Sequence, residues 1–162
     1  CTEAIFENVI GVNSVTSGYS GGKIANPSYK EVSRGLTQHA EVCEITYNPA
    51  AIELEQLLKI FFASHDPTTI NKQGNDVGEH YRSIVFFSDS NQKKVVDNVI
   101  NELNVSVFDH KIVTQVQEFD VFYRGETYHQ DYYENNKYVP YCSYVISPKI
   151  DKLKKELSQF YK

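Results

Sequence analysis

Residues 65–87 read His-Asp-Pro-Thr-Thr-Ile-Asn-Lys-Gln-Gly-Asn-Asp-Val-Gly-Glu-His-Tyr-Arg-Ser-Ile-Val-Phe-Phe, a crowded polar loop set directly against a short apolar run. The run 84–87 predicts a buried strand. Within the loop, Gly74-Asn75-Asp76-Val77-Gly78 carries three residue types that tolerate unusual backbone angles. It can therefore fold tightly and aim Asp76, Glu79, His80 and Tyr81 toward one place. A polar loop braced by a rigid strand suits a binding or catalytic site, although each residue taken singly reads equally well as a solvated turn group.

Working outward, Leu54, Leu57, Leu58, Phe61 and Phe62 recur at helical spacing and predict a helix that ends near Ala63, delivering His65 and Asp66 to the loop. On the other side, Asp89 or Ser90 caps a second amphipathic helix bearing Val95, Val96, Val99, Ile100 and Leu103, and residues 112–118 predict a strand. Toward the N-terminus, 42–47 alternates loosely as a sheet strand does, and 12–16 reads as another strand. Ahead of it, Thr2 is placed to cap a helix through Ala4, Ile5, Phe6 and Val9, with Gly11 to end it. The resulting order, helix, strand, strand, helix, strand, helix, strand, predicts an α+β fold. From Phe119 the chain is dense in aromatics and reads as an irregular lid on the sheet. A short strand is expected at Val145-Ile146. Ser147-Pro148 then opens a terminal helix with Ile150, Leu153, Leu157 and Phe160 on one face.

A chain of 162 residues, 41% hydrophobic and 13% aromatic, fits a single domain with a sizeable core. A net charge of −5 argues against nucleic acid, and no apolar run is long enough to cross a bilayer. Cys1, Cys43 and Cys142 include no Cys-x-x-Cys pair, so they fit neither a disulfide scaffold nor a zinc ribbon and leave reduced or catalytic thiols open. The chain begins at Cys1 and has no Met, which predicts that a segment upstream has been removed, and any targeting segment with it.

Local chemistry leaves several readings side by side. Cys1, at a predicted helix N-terminus, is placed where a thiolate is favoured. Cys43, inside a strand, reads as a small buried hydrophobe. Glu41 stands at the mouth of its strand, where most glutamates are solvated, and His39 beside it reads as a hydrogen-bonded structural group. The glycine-rich Ser17-Gly18-Tyr19-Ser20-Gly21-Gly22 lacks the Lys-Ser/Thr of a phosphate loop. Tyr29 reads as a packed aromatic near the Asn26-Pro27-Ser28-Tyr29 turn. His39, His65, His80 and His129 lack the short spacings of a helical zinc site, so no metal is expected.

Assembled, these strings resemble one family. His65-Asp66-Pro67-Thr68-Thr69, Gln73-Gly74-Asn75-Asp76, Gly78 and Tyr81-Arg82-Ser83 are similar to the signature of the A-type peptide-methionine sulfoxide reductases. So are Gly18-Tyr19-x-Gly21-Gly22, Asn26-Pro27-x-Tyr29, His39-Ala40-Glu41-Val42, His129-Gln130-x-Tyr132 and Pro140-Tyr141-Cys142. The resemblance covers Cys1 to about Ile150. It implies an α+β two-layer sandwich with a mixed, largely antiparallel sheet (a ferredoxin-like core) and an irregular aromatic C-terminal segment.

The implied activity is thiol-dependent reduction of methionine S-sulfoxide, free or in proteins, through a cysteine sulfenic acid: repair after oxidation by an oxidoreductase. Glu41 is then the acid, Tyr29 and Tyr81 are donors to the sulfoxide oxygen, and Asp76 is a positioning residue. The family's Gly-Cys-Phe-Trp motif places the nucleophile three residues before Cys1, with Cys1 itself a second option. Cys142 is the resolving thiol expected. No bound cofactor is implied, only an external reductant such as thioredoxin. A single 1–162 domain, cut just before Cys1, is expected to be a cytoplasmic monomer with no nucleic-acid or membrane partner. The alternative carried beside this is an inactive sulfoxide-binding domain lacking its nucleophile.

Overall fold

The computed structural model describes residues 2–162; Cys1 lies outside the described residues, and so does its reading as a nucleophile. Two long strands, β1 (Val12–Ser20) and β2 (Ala40–Tyr47), pair antiparallel, and β7 (Phe122–Arg124) adds antiparallel on the other side of β1, giving the order β2-β1-β7. A short hairpin of β3 (Lys72–Gln73) and β4 (Asp76–Val77) shapes the polar loop. Strands β5 (Ile84–Phe87) and β6 (Gln115–Glu118) form a parallel pair, so pairing is mixed and largely antiparallel, as the α+β reading requires.

Helices form the second layer. Val15 of β1 and its rung partner Ile45 of β2 pack against a core built from three helices. They are α1 (Thr2–Phe6), α3 (Leu54–Ser64) and α6 (Ser147–Glu156), which contribute Ile5, Phe6, Ile60, Ile150 and Leu153. The opposite flank of α3 carries Leu58 and Phe62 against Val96 and Val99 of α4 (Ser90–Ser106), with Val85 and Val116 of the parallel pair beside them. Helix α3 thus fastens two cores, and its broad apolar face is the physical reason.

Where the structure departs from the expected elements, a competing backbone partner explains it. Thr2 is already helical, and α1 stops at Phe6 instead of Val9 because Val9 bridges to Tyr161 while Ile10 donates to the carbonyl of Phe160. Strand β1 runs on to Ser20, since the glycine-rich stretch is paired on both sides. Strand β6 starts at Gln115, three residues late, because Ile112 donates to the Asn104 side chain and Val113 to the Pro67 carbonyl. The strand expected at Val145-Ile146 is a π-helical turn (Cys142–Ile146) continuous with α6; Cys142 and Ile146, four apart, both face the core. Tyr29 opens a short helix, α2 (Tyr29–Ser33), instead of lying in a turn. Ser28 and Glu31 form a reciprocal cap there that the Ser-x-x-Glu spacing carries in plain view.

The aromatic segment is stitched to the sheet by Gln130, which is buried. Its Oε1 accepts from the Ser17 N–H at 3.0 Å and its Nε2 donates to the Ser17 and Gly125 carbonyls at 2.8 and 3.0 Å, so one side chain stands in for a strand neighbour beside β7. Nearby, a Cβ placed on Gly22 would lie 2.3 Å from the Thr37 carbonyl oxygen and 2.4 Å from the His39 nitrogen. Backbone cannot yield as a side-chain tip does, so Gly22→Ala is expected to cost roughly 1–3 kcal/mol, read as a lowered urea midpoint at unchanged slope. An unaltered midpoint would contradict this close approach.

Candidate active site

Three successive rungs on the helix-facing side of β1 and β2 lead from core to chemistry. Val15 pairs with Ile45 in the core, Ser17 with Cys43 above it, and Tyr19 with Glu41 above that; Tyr123 of β7 joins the last rung. Residues opposite one another on neighbouring strands share a face. Helix α1 meets the middle rung, where the Ser17 hydroxyl donates to Glu3 Oε2 at 3.0 Å and lies 3.9 Å from Cys43 Sγ. Glu41 therefore sits one step beyond the start of the first helix.

Glu41 is half-buried, and burial, with the Asp76 charge adding to it, raises its pKa to about 7. The Tyr29 and Tyr81 side chains are half-buried as well, and each lies near enough to Glu41 to feel its charge. Burial first, then the neighbouring Glu41 charge, holds both phenols above their usual range, so both remain donors. Asp76, on β4, lies near enough to Tyr141 that its charge adds to burial in raising that phenol's pKa. The structure thus brings Glu41, Tyr29, Tyr81 and Asp76 into one electrostatic neighbourhood. Glu79 is exposed.

Rigid supports hold this group. His39 Nε2 sits 2.7 Å from the Ile24 carbonyl, which can only accept, so Nδ1 is free to accept from the Gly22 N–H at 2.8 Å; the ring is a neutral structural tie. His65 lies 2.7 Å from both the Phe61 carbonyl and the Ser83 hydroxyl, and Asp66 and Gln73 clasp each other across the loop. Arg82 straps that loop to the Gln38 carbonyl and to Gln115. His80 stacks on Tyr81 with ring centroids 3.9 Å apart, and His129 on Tyr29 at 4.4 Å. The four histidines are thus spent on separate tasks.

Glu126 was missed by the sequence reading. It accepts from the Tyr19 and Tyr128 hydroxyls and from the Tyr29 N–H, at 3.1, 2.9 and 3.1 Å. Burial alone would raise its pKa, but these donors outweigh it and keep the carboxylate ionised. An acid two residues before Tyr128 in an otherwise aromatic run was the available signal. Cys142, the expected resolving thiol, is fully buried in the main core, while Cys43 is half-buried with its pKa pushed up to about 11, chiefly by burial.

This arrangement, a carboxyl with its pKa raised to about 7 beside two phenols and one rung beyond a thiol, suits protonation of an oxygen that gains charge. The profile of the peptide methionine sulfoxide reductase family matches residues 1–161. The chain belongs to that family. A peptide methionine sulfoxide reductase of Saccharolobus solfataricus is 48% identical over 155 residues, covering 96% of this chain and 87% of that protein. Among solved structures, reduced Mxr1 from Saccharomyces cerevisiae superposes with a TM-score of 0.76 at 35% identity, over 79% of this chain and 74% of that one. An unusual oxidised form of Mxr1 gives 0.58 at 32% identity, over 79% and 70%. As a family member the chain is a thiol-dependent oxidoreductase, a peptide-methionine (S)-S-oxide reductase, and uses no prosthetic group. Membership leaves the inactive binding domain without support. No described helix is long and apolar enough to cross a membrane.

Proposed function

We propose that Glu41, Tyr29 and Tyr81 receive the oxygen of a methionine S-sulfoxide and that a cysteine three residues before Cys1, on a Gly-Cys-Phe-Trp segment, attacks its sulfur. The observation that carries this is Glu41, a carboxyl raised to about 7, chiefly by burial, with the phenols of Tyr29 and Tyr81 both near enough to feel its charge. Thiolate attack pushes electrons onto the sulfoxide oxygen, and phenolic donors fixed around that oxygen stabilise the developing charge. Glu41 supplies the proton. The S–O bond to the substrate breaks as the cysteine keeps the oxygen: the thiol is oxidised to a sulfenic acid and the sulfoxide is reduced by two electrons to the thioether. Asp76, through Tyr141 and its charge on Glu41, positions the group and favours the protonated acid.

A second thiol then condenses with the sulfenic acid, releasing water and leaving a disulfide that a dithiol protein of the thioredoxin class reduces. Cys142 is assigned this role. Its burial means that the π-helical turn must unwind first. The same reading takes the chain as one 1–162 domain following its Gly-Cys-Phe-Trp segment, working as a cytoplasmic monomer on free and protein-bound sulfoxide.

The test is turnover of resolved sulfoxide epimers with a dithiol reductant, followed by chromatography of the methionine formed. Methionine should appear from the S epimer, and reduction of the R epimer alone would sink the assignment. In the same assay Tyr29→Phe and Tyr81→Phe should each slow the single-turnover step by roughly tenfold, less than loss of the acid, since the other phenol still faces the oxygen. If either substitution left the rate unchanged, that tyrosine would not be a donor.

A further inference from the structure

Tyr29 opens α2, a helix of five residues whose one buried side chain is Val32. So short a helix does not hold its own place, and Tyr29 is fixed by what grips it from outside. Two grips come from the stretch 126–129. Glu126 Oε2 accepts from the Tyr29 N–H at 3.1 Å, and the His129 ring lies against the Tyr29 ring with centroids 4.4 Å apart. The other oxygen of the same carboxylate, Oε1, accepts at 3.1 Å from the hydroxyl of Tyr19, which is buried and pairs across the ladder with Glu41. One carboxylate therefore bridges the rung that bears the acid and the helix that bears a donor.

The bridge stands on a firm post. Gly125, the residue before it, donates its N–H to the Ser17 carbonyl at 2.9 Å, and its carbonyl accepts from Gln130 Nε2 at 3.0 Å. After it, the His129 N–H donates to the Glu126 carbonyl at 2.9 Å, and the Tyr128 hydroxyl donates to Oε2, also at 2.9 Å. A carboxylate that accepts three hydrogen bonds, on a backbone pinned before and after, keeps its oxygens in one place.

We propose that Glu126 is a positioning residue for the reduction, holding the Tyr29 phenol at a fixed offset from Glu41 so that one sulfoxide oxygen meets both. This role rests on the reading of Tyr29 as donor and Glu41 as acid, and adds the group that sets their spacing. Glu126 acts through Tyr29, so its removal costs no more than loss of the Tyr29 hydroxyl itself, roughly tenfold.

A double-mutant cycle reads this role, on single-turnover reduction of methionine S-sulfoxide by the protein carrying Gly-Cys-Phe-Trp ahead of Cys1. Glu126→Ala should slow that step about tenfold, both alone and in a Tyr81→Phe chain, yet by less than about twofold in a Tyr29→Phe chain, where no hydroxyl is left to place. A merely structural loss would slow all three alike. Glu126→Gln should bring the rate back to within about threefold, because its amide oxygen can still take the Tyr29 N–H while its NH2 turns to the Tyr19 oxygen. Glu126→Met, of similar volume and without an oxygen, carries the same cycle should the alanine chain not fold. Glu126→Ala at the wild-type rate, an equal loss in the Tyr29→Phe chain, or Glu126→Gln as slow as Glu126→Ala would each overturn the role of Glu126 and leave Tyr29 as donor. Tyr29→Phe at the wild-type rate would instead overturn Tyr29 as donor, and the role of Glu126 with it.

Discussion

In the protein carrying Gly-Cys-Phe-Trp ahead of Cys1, replacing that upstream cysteine by Ser should abolish sulfoxide reduction, by a factor on the order of 10⁵, whereas Cys1→Ser should leave most of it. The size follows from the advantage of a nucleophile held in line with its target over one drawn from solution. The identity follows from the motif, because even at the compact 1.5 Å per residue of a helix three residues put a second sulfur about 4.5 Å away, too far to replace the first. The middle rung holds α1 against the strand beside that site, since the Ser17 hydroxyl ties Glu3 of α1 one step below Glu41. Single-turnover measurement with a stoichiometric dithiol reads both variants. If Cys1→Ser is the inactive one, Cys1 is the nucleophile and the motif has been aligned three residues out of place.

Glu41→Gln should lower the same single-turnover rate by about 10²-fold or more, the usual scale for a general acid. The amide keeps the shape and can still donate a hydrogen bond, so what it removes is the transferable proton. A carboxyl at about 7 is protonated below that pH and ionised above it, so the wild-type rate should fall as pH rises through about 7. In Glu41→Gln that descending limb should be missing. Stability runs the same way: the folded pKa lies above the ordinary carboxyl value of 4.5, so the contribution is full below the unfolded pKa and is lost as pH rises through about 7. A variant with unchanged rate and unchanged profile would remove Glu41 from the chemistry and direct attention to Asp76.

Much of this was legible in the chain because its signals are periodic or local. The apolar spacing of Leu57, Leu58 and Phe62 marks α3, and alternation marks the outer half of β2. Tyr29, Glu41 and Tyr81 were singled out for another reason: each lies in a motif that resembles the family's, although no spacing says that they meet. What escaped were features set by distant partners. Helix α1 ends early because the C-terminal residues claim Val9 and Ile10, and the segment at Cys142 is helical because its buried residues are four apart and lead straight into α6. Glu126 escaped because its role consists of three donors drawn from Tyr19, Tyr29 and Tyr128.

The Gln130 clasp bears on how a buried thiol can travel. With its side chain bonded to both main-chain groups of Ser17, Gln130 moors the aromatic segment to the sheet. Slack is available only downstream, where the twelve residues from Asp131 to Cys142 can span at most about 40 Å when drawn straight. On the proposal that Cys142 is the resolving thiol, what limits disulfide formation is extraction of Cys142 from among Ile146, Ile150 and its neighbours, not the length of that leash. The step should therefore show the steep warming response of local unfolding and not the shallow one of chain diffusion.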